Sequence, residues 1–219
     1  MSETQPQTSG YLATPAGGSG PGVLVLHAWW GLNDFFRALC DRLAGEGFVA
    51  YAPDLYGGKV AASIEEAERL LDSADGAAMR AAAVGGVDLL RGQPGVAGGP
   101  LGAIGFSMGG GWALELSALR PDDIAAVVLF YGCGEADFTK AKAAYLGHFV
   151  ADDPWEPEEY VRQMEAAMRA AGREVTLHTY SGAGHWFFEA NRPDDYNATA
   201  AEVAWERTLA FLRAKLEGR

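Results

Sequence analysis

Cysteine is nearly absent. Two residues in 219, Cys40 and Cys133, make no disulfide framework and no thiolate metal site, so a reducing cytoplasm is the expected compartment. Histidine is scarce too: four occur, and no two have metal-ligand spacing on one face, so no metal and no cofactor are expected. Basic residues are outnumbered 17 to 29 by acidic ones, for a net charge of −12. That balance argues against nucleic acid and anionic membrane surfaces as partners. No apolar run is long enough to span a bilayer. Met1 to Gly10 is polar, with no basic stretch followed by an apolar one, and is not read as a signal peptide. Internal repeats and linkers are also missing.

What is present is glycine, 29 residues, and apolar side chains, 49% of the chain. Residues 1–9 read as a flexible tail and 10–219 as one domain. Continuous apolar runs, Val23 to His27, Phe48 to Ala52, Leu101 to Phe106, Ile124 to Tyr131 and Ala144 to Val150, suit strands buried on both faces. Gly10 to Ala13 reads as a short edge strand and Glu174 to Tyr180 as a last one. Helical spacing lies between them. Asn33 caps a helix with Phe35, Phe36, Leu39 and Leu43 on one face, and Ser63 with Glu66 forms a capping box. Ala77 to Arg91 is an alanine-rich helix weakened by Gly85 and Gly86. Pro157 opens a helix with apolar Tyr160, Val161, Met164, Met168 and Ala171. A final helix starts near Asn197, with Trp205, Leu209, Leu212 and Leu216 aligned. Strands alternating with helices predict a mostly parallel central sheet with helices on both faces. No helix shows a surplus apolar stripe, so a monomer is expected.

The chemistry centres on Gly105-Phe106-Ser107-Met108-Gly109, which follows a predicted strand and opens a helix. Gly-x-Ser-x-Gly in that context places a serine on a tight turn with its hydroxyl exposed above the sheet. A serine hydroxyl needs a base, and the base needs an acid to hold its tautomer. His185, on the glycine-rich turn Gly182-Ala183-Gly184, is the candidate base. Asp152 and Asp153 both follow the strand ending at Val150. The Asp153-Pro154 turn favours Asp153, and Asp137 is a distant third. The order Ser, Asp, His is that of an α/β-hydrolase fold. The Met108 amide, and that of Trp29 after the first central strand, with Ala28 or Trp30 as weaker choices, are the candidate oxyanion donors. Ala28, Trp30, Tyr131, Trp186 and Phe187 are candidate pocket residues. His27, His148 and His178 read as structural.

These residues together resemble the dienelactone hydrolase family. The resemblance rests on His27 to Asn33, Asp41 to Phe48, Ala52-Pro53-Asp54-Leu55-Tyr56, Gly105 to Gly110, Phe130-Tyr131-Gly132, Asp153-Pro154 and Gly184-His185-Trp186-Phe187. It implies an α/β-hydrolase fold, no cofactor, a small ester or lactone as partner, and Asp153 as the acid. Three positions depart from the dienelactone-cleaving members. Ser107 replaces their cysteine nucleophile, and Ala28 replaces a glutamate that helps activate it. Those members bind the substrate carboxylate with arginines, one of them shortly after the histidine, and His185-Trp186-Phe187-Phe188-Glu189 offers none. An anionic Glu189 would repel an anion, so a neutral ester or lactone is expected. A thioesterase on the same residues, or a non-catalytic binding protein, are the alternatives.

Overall fold

A computed structural model describes residues 9–96 and 98–217. Seven strands are β1 (Gly10–Ala13), β2 (Gly22–Leu26), β3 (Val49–Pro53), β4 (Leu101–Phe106), β5 (Ile124–Phe130), β6 (Ala144–Val150) and β7 (Val175–Tyr180). Six helices are α1 (Asp34–Gly45), α2 (Ile64–Asp72), α3 (Gly76–Arg91), α4 (Met108–Leu119), α5 (Glu158–Ala170) and α6 (Ala198–Leu216). The sheet runs in the order β1-β3-β2-β4-β5-β6-β7. β1 pairs antiparallel with β3, and every other pair is parallel.

Strands β2 to β6 are buried along their whole length, which is why they read as unbroken apolar runs rather than as alternation. The period of two survives in which face each residue serves. Val23, Val25, Ile104, Phe106, Val128 and Phe130 pack under α1 and α6. Leu24, Leu26, Leu101, Ala103, Val127 and Leu129 pack under α3, α4 and α5. Each Leu or Phe so buried is worth ~1.5–3 kcal/mol over exposure.

Local signals set the helix boundaries. Asn33 accepts from the Phe35 and Phe36 amides, Asp75 from Ala77 and Ala78, and Asn197 from Ala200. Ser63 accepts from Glu66 N, and the Glu66 carboxylate reaches back to the Ala62 amide at 2.8 Å.

Gly86 lies where α3 approaches the sheet: a Cβ there would be 3.1 Å from the Leu24 side chain and 3.2 Å from Pro53. Two sequence expectations change. Tyr160 is exposed (58%), not part of the apolar face of α5, which Met164 and Met168 form. Ser9, assigned to the tail, accepts from the Asp54 amide at 2.8 Å; the rest of that tail, 1–8, lies outside the described residues.

Candidate active site

The carboxyl ends of β2, β4, β5, β6 and β7 converge on one edge, and the candidate residues sit in the loops that leave it. Ser107 lies between β4 and α4 at φ 48°, ψ −116°, a conformation that non-glycine residues seldom adopt. Its surroundings impose it. No Cβ fits at Gly105, where the Gly109 carbonyl lies against Cα, or at Gly109, where the Leu26 carbonyl does. The Ser107 amide donates to Phe130 O at 2.9 Å, fixing the turn to the end of β5.

After β6, Asp152 takes φ 55° and is exposed, which turns Asp153 inward to 8% exposure. One Asp153 oxygen, Oδ1, accepts from the amides of Trp155 (2.9 Å) and Glu156 (3.2 Å). The other, Oδ2, lies 2.8 Å from His185 Nδ1. A carboxylate only accepts, so in the neutral imidazole Nδ1 carries the proton and Nε2 is the acceptor. Ser107 Oγ lies 3.1 Å from that Nε2. Asp153, His185 and Ser107 therefore form one hydrogen-bonded row. Its inner pair is almost fully buried, and its outer member is half-buried. Asp137 lies elsewhere, paired with Lys140 at 2.9 Å.

The other histidines have different partners. His27 is fully buried between Ala28 O (2.8 Å to Nδ1) and the Leu55 amide (3.1 Å to Nε2), and burial lowers its pKa to about 4. His148 bridges Tyr180 and Thr208. Among the described residues no group of three or more His, Cys, Asp or Glu is placed to hold a metal ion, and no helix is long and apolar enough to cross a membrane.

Met108 opens α4, so its amide is among those the helix leaves without an internal acceptor. Trp29 lies in the loop after β2, and the start of that loop touches α4: the carbonyls of Leu26 and His27 face Gly109. Of the expected pocket residues, Ala28 and Phe187 are fully buried, and Phe187 packs on Tyr131 and Tyr180 within the core. The Tyr131 ring lies 4.9 Å from the His185 ring, and Trp186 meets the same ring edge-on at 5.2 Å. Trp30 packs on Trp29 and Trp186.

The sequence profile of the dienelactone hydrolase family matches residues 8–216. The chain belongs to the dienelactone hydrolase family. It is 35% identical to "Protein usf" of Aquifex pyrophilus, over 94% of this chain and 93% of that protein. It is 30% identical to the "Putative carboxymethylenebutenolidase" of Aquifex aeolicus, over 95% and 94%. A solved dienelactone hydrolase-like promiscuous phosphotriesterase from metagenomic libraries superposes with a TM-score of 0.84 at 27% identity, covering 93% of this chain and 91% of that one.

Within this dienelactone hydrolase family member, one electrostatic expectation is overturned. Glu189 does not present a negative charge to the site. It is fully buried, it accepts from the Tyr131 hydroxyl at 3.1 Å, and burial raises its pKa to about 8. It is therefore mainly protonated at neutral pH. An arginine is also close by. The Arg192 guanidinium lies 3.3 Å from the centroid of the Trp30 ring. Trp155 was missed as well. It is 41% exposed, 5.0 Å from the Trp29 ring and 6.4 Å from the His185 ring. Its position two residues after Asp153 was the available signal.

Proposed function

We propose that this chain is a serine hydrolase of small carboxylic esters or lactones that works through an acyl-enzyme on Ser107. The hydrogen-bonded row Asp153–His185–Ser107 is the observation that carries the reading. In this reading His185 Nε2 takes the Ser107 proton as Oγ attacks the carbonyl carbon. The tetrahedral oxyanion is held by the amides of Met108 and Trp29. Asp153 fixes the Nδ1–H tautomer and stabilises the imidazolium. The proton passes to the leaving alkoxide, which in a lactone stays tethered to the acyl group. Water, deprotonated by His185, then attacks the acyl-enzyme and Ser107 leaves as the alcohol.

Ala28 fits this chemistry. A serine served by a neutral imidazole needs no further carboxylate at that position. A protonated Glu189 raises no electrostatic objection to an anionic lactone, and a similar protein is named for carboxymethylenebutenolide cleavage. Neutral and anionic lactones are therefore both candidates, with Ala28, Trp30, Tyr131, Trp186 and Phe187 shaping the walls. The test is a panel of p-nitrophenyl esters, lactones with and without a carboxylate, thioesters and an aryl phosphotriester, assayed on wild type and Ser107→Ala. Ester or lactone turnover that disappears in the variant supports the reading. Turnover that persists in Ser107→Ala, or is confined to another substrate class, contradicts it.

A further inference from the structure

Asp153 is held by the backbone of its own turn, so its aim depends on what holds that turn. Residues 151–157 are neither helix nor strand, and their backbone changes hand at Asp152. One side chain ties this segment to the nucleophile's neighbourhood. Glu156 Oε1 accepts from the Cys133 amide at 3.1 Å. Cys133 follows Gly132, which leans on the Ser107 backbone so closely that a Cβ there would overlap the Ser107 carbonyl. The contacts close a ring: Ser107, Gly132–Cys133, Glu156, Asp153, His185, and back to Ser107.

We infer that Glu156 is a positioning residue, one that couples the Asp153 turn to the serine elbow and adds a negative charge behind the Asp153–His185 pair. The inference rests on the serine-hydrolase reading above.

The charge argument depends on what surrounds the group. Glu156 is faced by the Cys133 thiol, by Asp153 and by His185. Its outer side meets a groove of ≈ 590 Å³ lined by Glu135, Phe138, Tyr160 and Met164 among others, with no lysine or arginine. No cation there neutralises it. His185 is faced by Asp153 and Glu156 from this turn, by the uncharged Tyr131 and Ser107, and by Asp195, which lies against Gly184 with Arg192 beside it. Burial holds the Glu156 carboxyl above the ordinary carboxylate range, and Asp153 adds to that. Once ionised, Glu156 favours the imidazolium form of His185.

Reach and charge separate by substitution. Glu156→Gln keeps the acceptor and removes the charge. Glu156→Asp keeps the charge and shortens the reach. Glu156→Ala removes both. The experiment is kcat and KM against pH for all three beside wild type, with thermal melting as the folding check and fluorophosphonate labelling of Ser107 in parallel. Glu156→Ala is expected to lower kcat about 10–100-fold with KM within about twofold, because misaimed groups cost rate rather than binding. Glu156→Gln is expected to restore most of kcat and to move the acid limb of kcat/KM to lower pH by roughly 0.3–1 unit. Glu156→Asp is expected to keep the wild-type acid limb with reduced kcat. Wild-type kcat and acid limb in Glu156→Ala would overturn the inference. So would a Gln variant as slow as the Ala one, or an effect confined to KM or to melting. Failure of wild type to label at Ser107 would instead overturn the serine-hydrolase reading.

Discussion

The Tyr131 hydroxyl donates to Glu189 Oε1 at 3.1 Å, and the Tyr131 ring lies 4.9 Å from the His185 ring. A carboxyl group so enclosed is stable in its neutral form. Its pKa of about 8 against an ordinary 4.5 fixes the sign of a pH effect. Between those values the folded state holds a proton that the unfolded chain has lost. Stability therefore falls as pH rises from about 4.5 to about 8, by a few kcal/mol. Above pH 6.5, where the histidines no longer contribute, calorimetry should show a Tm that falls towards pH 8 in wild type and a flatter profile in Glu189→Gln. Equal slopes in the two proteins would show that Glu189 is not the group responsible.

His27 acts in the opposite direction. Burial lowers its pKa from 6.5 to about 4, so the unfolded chain binds a proton in this range that the folded chain refuses. Stability is fully present above pH 6.5 and is lost as pH falls towards 4. His148, buried against Tyr180 and Thr208 and held well below its ordinary pKa by burial, adds to the same slope. With the Glu189 effect, Tm should peak near pH 6–6.5. A Tm that rises steadily to pH 9 would contradict the Glu189 assignment, and a Tm that falls steadily from pH 4 would contradict those of His27 and His148.

The two aspartates after β6 should behave differently. Asp153→Asn offers an amide where Nδ1 needs a carboxylate, so the imidazole loses its preferred tautomer. The expected loss in kcat is ~10⁴-fold, with the fold retained. Asp152→Asn, at an exposed φ of 55° that asparagine tolerates well, should change kcat less than about threefold. Steady-state kinetics on the most active substrate decides. Comparable losses in both variants would remove the distinction between them.

Much of this was legible in the sequence. The five central strands were readable because burial on both faces writes them as continuous apolar runs, and Asn33, Ser63 and Asn197 marked helix starts through their caps. Ser107 was readable because the elbow leaves room only for glycine at 105 and 109. The state of Glu189 was not, since a carboxyl side chain between Phe188 and Ala190 is read as charged and turned to solvent until its packing is known. Only its complete burial in the folded chain raises its pKa, against the Tyr131 hydrogen bond, which favours the anion. Trp155 and Arg192 were missed because their importance lies in contacts with Trp29 and Trp30, more than a hundred residues away.

Trp155 is the exposed member of a cluster that includes Trp29 and Trp186. Standing 6.4 Å from the His185 ring, it is placed to contact the part of a substrate that projects outward. Trp155→Ala should raise KM for aryl esters about 3–10-fold, with kcat within about twofold. Initial-rate kinetics with phenyl and methyl esters checks this. An unchanged KM for both would place Trp155 outside the binding surface.

The most direct test of the central claim is active-site labelling with a fluorophosphonate, read by intact mass and peptide mapping, on wild type and Ser107→Ala. The hydrogen bond from Ser107 Oγ to His185 Nε2 predicts one adduct per chain, on Ser107, absent from the variant. A folded wild-type protein that takes no label, or takes it elsewhere, would contradict an activated serine at this site.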